Sequence, residues 1–211
     1  MGVQKTRGRP RRFDSEAALK TAMMLFWRHG YEGTSIADLT AALGVTPPTL
    51  YAAFGSKEQL YREVLERYVT QGTLGRLRER SDELSAYEAL EQYLRQAAES
   101  YSDPSTPPGC LVSSASLYCA AENESARASA SALRASGLAL LATKLERARE
   151  LGELPKNSDS LALARFYSAV IQGMSVQAVD GASTDELQKI VELALAAWPG
   201  KRSERDLRSE V

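Results

Sequence analysis

The chain has 211 residues, of which 44% are hydrophobic and 25% charged, with a formal net charge of −1; this is the composition of a folded protein and excludes wholesale disorder. No run approaches the roughly 18 apolar residues of a membrane span, and the basic start leads into polar "DSEAALK" rather than a signal-peptide core, so a cytoplasmic protein with no membrane partner is expected. One histidine, His29, and two cysteines, Cys110 and Cys119, give neither a zinc constellation nor a disulfide framework, and no metal or cofactor is expected.

Charge is unevenly placed. Residues 1–57 carry eight Lys/Arg (Lys5, Arg7, Arg9, Arg11, Arg12, Lys20, Arg28, Lys57) against four acids (Asp14, Glu16, Glu32, Asp38), which is +4 and leaves −5 for the remainder. That asymmetry points to a small polyanion-binding unit on a neutral or acidic body. The opening "KTRGRPRRF" supplies most of the excess.

From Asp14 onward the apolar spacing is helical and period-2 alternation is scarce, so the expected fold is all-α, with about nine helices. Asp14 caps a helix carrying Leu19, Ala22, Met23 and Phe26, which Gly30 stops. Thr34 or Ser35 opens a short helix with Ile36, Leu39 and Ala42, ended by Gly44. A third begins at "TPPTLYAAF", where Thr46 caps and the prolines fall in the first turn, whose N–H groups have no partner to lose. Ser56 and Gln59 then open a longer fourth helix with Leu60, Val64 and Tyr68 on one face. Beyond "TQGTLGRLRERSDE" the spacing predicts helices near 84–101, over "CLVSSASLYCAA", from about 123 to 151, near 160–179 and at 184–198, the last opened by a Ser183–Glu186 capping box.

Two short helices around a Gly44–Val45 turn, with a third before them, have the form of a helix-turn-helix, in which one helix braces on the DNA backbone and the next enters the major groove. The residues Leu25-Phe26, Gly30-Tyr31, Thr34-Ser35, Ile36-Ala37, Gly44-Val45, Thr49-Leu50-Tyr51, Phe54, Ser56-Lys57-Glu58 and Leu60 resemble, at matching spacing, the amino-terminal signature of the TetR family of bacterial transcriptional regulators. The resemblance covers residues 12–66; farther on it extends only to helix count and an apolar final helix pair. It implies a basic, disordered arm at 1–12, a DNA-binding domain at 13–58, a ligand-binding and dimerisation domain at 59–199, and a tail at 200–211.

By the same resemblance the DNA face falls on Thr34, Ser35, Thr46, Thr49, Tyr51 and Lys57. Hydroxyls and first-turn N–H groups suit phosphate oxygens, and lysine adds a point charge; for Thr34, capping alone is the competing explanation. The chain departs from the family at Pro47-Pro48 and Ala52-Ala53, where two donors and two longer side chains are missing. Groove reading then rests on Thr49 and Tyr51, with help from the arm: "RGRP" resembles an AT-hook core, in which Arg7 and Arg9 would follow a narrow minor groove while Arg11 and Arg12 attract phosphate.

For the body, the resemblance implies a homodimer on palindromic operator DNA. Phe166, Tyr167, Val170, Met174, Leu187, Ile190, Val191 and Ala194 supply the apolar interface surface, and mid-helix Gly173 suggests a close helix approach. It also implies a small-molecule inducer, bound among Tyr93, Tyr101, Cys110, Leu111, Tyr118 and Phe166, that moves the fourth helix as a lever and so repositions the recognition helices. The expected function is that of a repressor. Two alternatives stand beside it: a DNA-binding dimer with no inducer, and a redox or electrophile sensor acting through Cys110, which "PPGC" places at a helix start where a thiolate is favoured. Nucleophile–base pairs and metal clusters are missing from the sequence, so no enzymatic activity is expected.

Overall fold

The computed structural model describes residues 14–80, 84–114 and 120–200, and within them the regular structure is all helical. Ten α-helices follow in chain order: α1 Ser15–His29, α2 Ile36–Leu43, α3 Pro47–Phe54, α4 Lys57–Gln71, α5 Thr73–Arg80, α6 Ala86–Tyr101, α7 Leu111–Ser114, α8 Glu124–Glu150, α9 Ser160–Val179 and α10 Thr184–Ala196. The helix beyond the expected nine is α5. Gly72, Gly75 and a dense charge run hide it in the sequence, but Leu77 is buried where α5 packs between α4 and α6.

Local chemistry sets the boundaries. The Asp14 carboxylate accepts the Glu16 and Ala17 N–H groups at 3.1 Å each, satisfying two orphan donors of α1. Ser35 and Asp38 form a reciprocal capping box on α2, and Ser183 and Glu186 do the same on α10. Gly44 ends α2 in the left-handed region, at φ 66°, and so makes the sharp turn into α3 without a Cβ penalty.

Helices α1 and α3 pack against α4, and α2 packs on α1 and α3. Their shared core is aromatic: Phe26 is 1% exposed, lies 5.0 Å edge-on from Tyr61 of α4, and stacks on Tyr31 at 6.1 Å. The second half of α4 enters the body, where it meets α5, α7 and the 27-residue α8. Helices α9 and α10 close the far side against α8 and α6.

A polar tie also joins the two regions. Glu32, in the turn after α1, accepts hydrogen bonds from the Ala120 N–H at 2.9 Å and from Asn123 Nδ2 at 2.8 Å, just before α8 begins. These bonds, Asn123's first, hold the Glu32 carboxyl below the ordinary glutamate value. Because the folded-state value is the lower one, the tie contributes stability above the ordinary glutamate value and loses it as pH falls through the folded value. Thermal midpoints of wild type and Glu32→Ala are therefore expected to differ at neutral pH and to converge in acid. A difference that persists below the glutamate range would overturn this assignment.

Candidate DNA-binding face and internal cavity

The outer side of α3 is assembled from residues that the core does not need. Leu50 and Phe54 point inward and are buried, whereas Thr46, Pro47, Pro48, Thr49, Ala52 and Ala53 are exposed and Tyr51 keeps 45% of its surface. Thr46 makes no side-chain cap; its hydroxyl instead lies 3.0 Å from that of Thr49, placing two hydroxyls together on the surface. Pro47 and Pro48 occupy the first turn, as their missing N–H groups require.

Thr34 is a correction. It is fully buried and its hydroxyl donates to the Gly30 carbonyl at 2.8 Å, bracing the turn between α1 and α2, so its side chain cannot face DNA. Ser35 is exposed and is the cap of α2, but its N–H and hydroxyl both donate to the Asp38 carboxylate, at 2.9 and 2.6 Å. A phosphate there would have to compete with that carboxylate. Lys57 is half-buried, with its ammonium 4.1 Å from the centre of the Tyr31 ring; a cation over a ring face is held in place by the ring's quadrupole. Arg7, Arg9, Arg11 and Arg12 lie outside the described residues.

Inside the body, a cavity of about 80 Å³ is walled by α4, α5, α6, α8 and α9 together with the segment at Cys110. Tyr93, Tyr101 and Cys110, three of the residues expected there, line it. Leu111 is buried beside it but is not in its wall, and Phe166, about 100° around α9 from buried Tyr167 and edge-on to its ring at 5.0 Å, is 42% exposed and outside the wall. Tyr118, like Cys119, lies outside the described residues.

Tyr68, Leu74, Arg134, Gly137, Ser168 and Gln172, which the sequence does not place there, are also in the wall. Tyr68 carried a signal, being a polar-tipped residue on the apolar face of a helix long enough to enter both regions. Leu74 could not be found without α5.

Cys110 precedes the first turn of α7 rather than belonging to it, and its N–H donates to the buried Ser175 hydroxyl of α9 at 2.8 Å. Gly109 makes this approach possible: its φ is 79°, and a Cβ there would fall 2.7 Å from the Ser175 carbonyl oxygen. Three phenols converge on the thiol. Burial above all, and then the neighbouring Cys110, pushes Tyr68, Tyr93 and Tyr101 well above the ordinary tyrosine value, so all three remain protonated donors at neutral pH. Arg134 adds the one charged group in the wall among the described residues, and donates to the Val112 carbonyl at 2.8 Å. A larger groove of about 210 Å³ runs along α5, α6 and α8; leucines make up half of its lining, and its polar groups are Thr143, Lys144, Arg147 and Glu153 rather than a thiol among phenols.

The expected dimer surface divides in two. Tyr167, Met174, Leu187, Val191 and Ala194 are buried within the protomer, where α9 and α10 pack on each other and on α8 and α6, so they cannot also face a partner. Val170 and Ile190 are partly buried. Among the exposed residues of α9, Ala162, Phe166, Ala169, Gly173 and Val176 share one helical face, and Leu193 of α10 is 75% exposed. A Cβ added to Gly173 would meet nothing within 4 Å.

Residues 18–64 match the family model described as bacterial regulatory proteins, tetR family, and residues 86–193 match that of the tetracyclin repressor-like C-terminal domain. The HTH-type transcriptional repressor ComR of Escherichia coli strain K12 is 38% identical over 198 residues, covering 93% of this chain and 94% of ComR. Among solved structures, a cysteine mutant of the TetR family regulator CifR complexed with 26-base-pair operator DNA is 42% identical, with a TM-score of 0.85 over 91% of this chain and 100% of that one. The reduced form of E. coli NemR is 25% identical, with a TM-score of 0.70 over 87% and 97%.

Proposed function

The chain belongs to the TetR family of bacterial regulatory proteins and is a DNA-binding transcriptional repressor; on that premise we propose that it holds its operator as a homodimer and releases it when a small molecule enters the cavity beside Cys110. The observation that carries the release step is the course of α4, one helix that is core to the DNA-binding helices at Tyr61 and cavity wall at Tyr68. A change of shape in the cavity therefore acts on the element that positions α3. Two-fold pairing would set recognition helices about 34 to 36 Å apart, and a shift of α4 would spoil that spacing.

Gly173 supports pairing. It costs α9 about 1 kcal/mol relative to alanine, and nothing inside the protomer occupies the space its missing side chain leaves, so the close approach it permits is to another molecule.

A cavity of about 80 Å³ is small beside the roughly 300 to 1,000 Å³ of common ligand sites, so the inducer is small or widens its site on entry. Gly137, on the α8 wall, gives the test: a Cβ there makes only ordinary contact, 3.4 Å from Leu74 Cδ2. Gly137→Leu is expected to bind operator like wild type and to resist every compound that dissociates wild type in a gel-shift screen. Full sensitivity of the variant would overturn the cavity as inducer site.

A second reading has its own observation, the buried thiol among three phenols. Cys110 then acts as the sensor and the phenols orient an electrophile or oxidant. Cys110→Ser is expected to keep operator affinity and lose release by iodoacetamide, while release by non-covalent compounds survives.

The arm completes the proposed DNA-binding surface. Removing residues 1–12 should weaken operator binding and flatten the plot of log K against log salt by roughly 0.9 for each phosphate that the arm no longer neutralises; an unchanged slope would sink this role.

A further inference from the structure

We infer that the cavity is a site for a small monocarboxylate, whose acid group pairs with Arg134 of α8 and whose apolar body lies along Leu74, Leu138 and Leu141. The inference rests on the cavity being the inducer site and names the class of inducer that it takes.

Charge is the first observation. Arg134 is half-buried in the wall, and no aspartate or glutamate lines the cavity among the described residues. A ligand carrying an ammonium would therefore meet a like charge and no counter-ion. Burial already works against the guanidinium: desolvation, the largest influence on it, lowers its pKa from the ordinary arginine value. A neutral ligand that excluded solvent from the cavity would add to this cost, whereas a carboxylate would offset it. The planar guanidinium fork matches the two oxygens of a carboxylate, which a point charge does not. One cation in the wall suits one negative charge, and a dianion would bring a second with no cation of the wall to meet it.

Geometry is the second observation. Arg134 donates to the Val112 carbonyl at 2.8 Å, and Val112 is itself in the wall, so the guanidinium is anchored at the cavity. The residues that α8 presents to the cavity after it, Gly137, Leu138 and Leu141, follow at helical spacing on the same face. From Arg134 to Leu141 the helix rises about 10 Å. Gly137 leaves room in the middle of this run, where Leu74 of α5 lies 3.4 Å from the position a Cβ would take. The wall thus passes from a cation to an apolar surface over the length of a short acyl chain.

The test uses the full-length protein as wild type, Arg134→Gln, Arg134→Lys and Gly137→Leu. The probes are the straight-chain acids from acetate to octanoate, each beside its primary amide, which has nearly the same shape and no charge. Calorimetry reads binding, and a gel shift reads release of an operator selected from random duplex DNA by the wild-type protein.

At least one acid is expected to bind wild type, at least about tenfold more tightly than its amide, the size of one charge-assisted hydrogen bond. Arg134→Gln should bring that acid down to the level of its amide. Should Arg134→Gln fail to fold, Arg134→Lys takes its place: there, with charge but no fork, the acid weakens and the amide does not, and unchanged binding of both overturns the pairing. Gly137→Leu should lose the acid, and if it binds the acid as wild type does, the site is elsewhere and the inference falls. Failure of every acid to bind, equal binding of acid and amide, or a preference for acid that survives Arg134→Gln also overturns it. An acid that binds through Arg134 and leaves operator bound keeps the carboxylate site and overturns the cavity as a release site. Release by the amides as readily as by the acids, blocked by Gly137→Leu, keeps the cavity and overturns the carboxylate class.

Discussion

Phe166→Glu is expected to give a monomeric protein whose operator affinity is lower by about 100-fold to 10,000-fold, the range by which two linked binding events exceed one. Phe166 is the largest apolar group on the outer face of α9, 42% exposed in the protomer, and it is flanked on that face by Ala162, Ala169 and Gly173. A partner helix lying against these small residues would strip water from the introduced carboxylate, and burial of a charge is strongly unfavourable unless it is paired. Because the ring is outside the protomer core, the substitution should leave the fold intact. Sedimentation analysis and an operator titration test the two halves separately: a dimeric Phe166→Glu protein would place the interface elsewhere.

Phe26→Ala is expected to lower stability by about 3 to 5 kcal/mol, the usual cost of emptying a buried aromatic site. Against a typical total of roughly 5 to 15 kcal/mol this is a large fraction. Phe26 is the hub of the DNA-binding core, touching Tyr31 and Tyr61 with its ring, and Tyr61 is itself fully buried on α4. The cavity left behind cannot close cheaply, because α1 and α4 pack together along their lengths. Urea denaturation measures the loss, and Phe26→Leu, which keeps most of the volume, should lose less than half as much. Operator binding should weaken with Phe26→Ala in proportion to the folded fraction.

These two residues illustrate what the sequence makes legible. Phe26 falls at helical spacing from Leu19, Ala22 and Met23, and its burial follows from periodicity alone. Phe166 falls within an equally apolar stretch, where nearly every position is small or hydrophobic, so spacing does not tell the inward side of α9 from the outward side. Tyr167, its neighbour, is fully buried. Reading the whole stretch as interface therefore mixes core with surface, and the packing of α8 and α10 against α9 decides which is which. The same reason explains the cavity. Tyr93, Tyr101 and Cys110 are within reach of sequence because aromatic and thiol groups stand out in a chain rich in alanine and leucine, whereas Arg134, Ser168 and Gln172 are ordinary helical residues until the packing of several helices brings them together.

What the sequence by itself determined is the set of helices whose ends are written in local chemistry. The Asp14 cap, a Thr34 or Ser35 cap, the prolines in the first turn of α3 and the turn at Gly44 act within a few residues of chain, and with the helix-turn-helix signature they specify the DNA-binding unit, as the Ser183 cap specifies the start of α10. Tertiary structure alone decided the fate of groups whose partners are distant. Cys110 is held to α9 by a hydrogen bond spanning 65 positions. Glu32 reaches Asn123 across 91. Such pairings depend on where whole helices dock, and docking is set by the summed burial of many apolar side chains, which no short stretch of sequence displays.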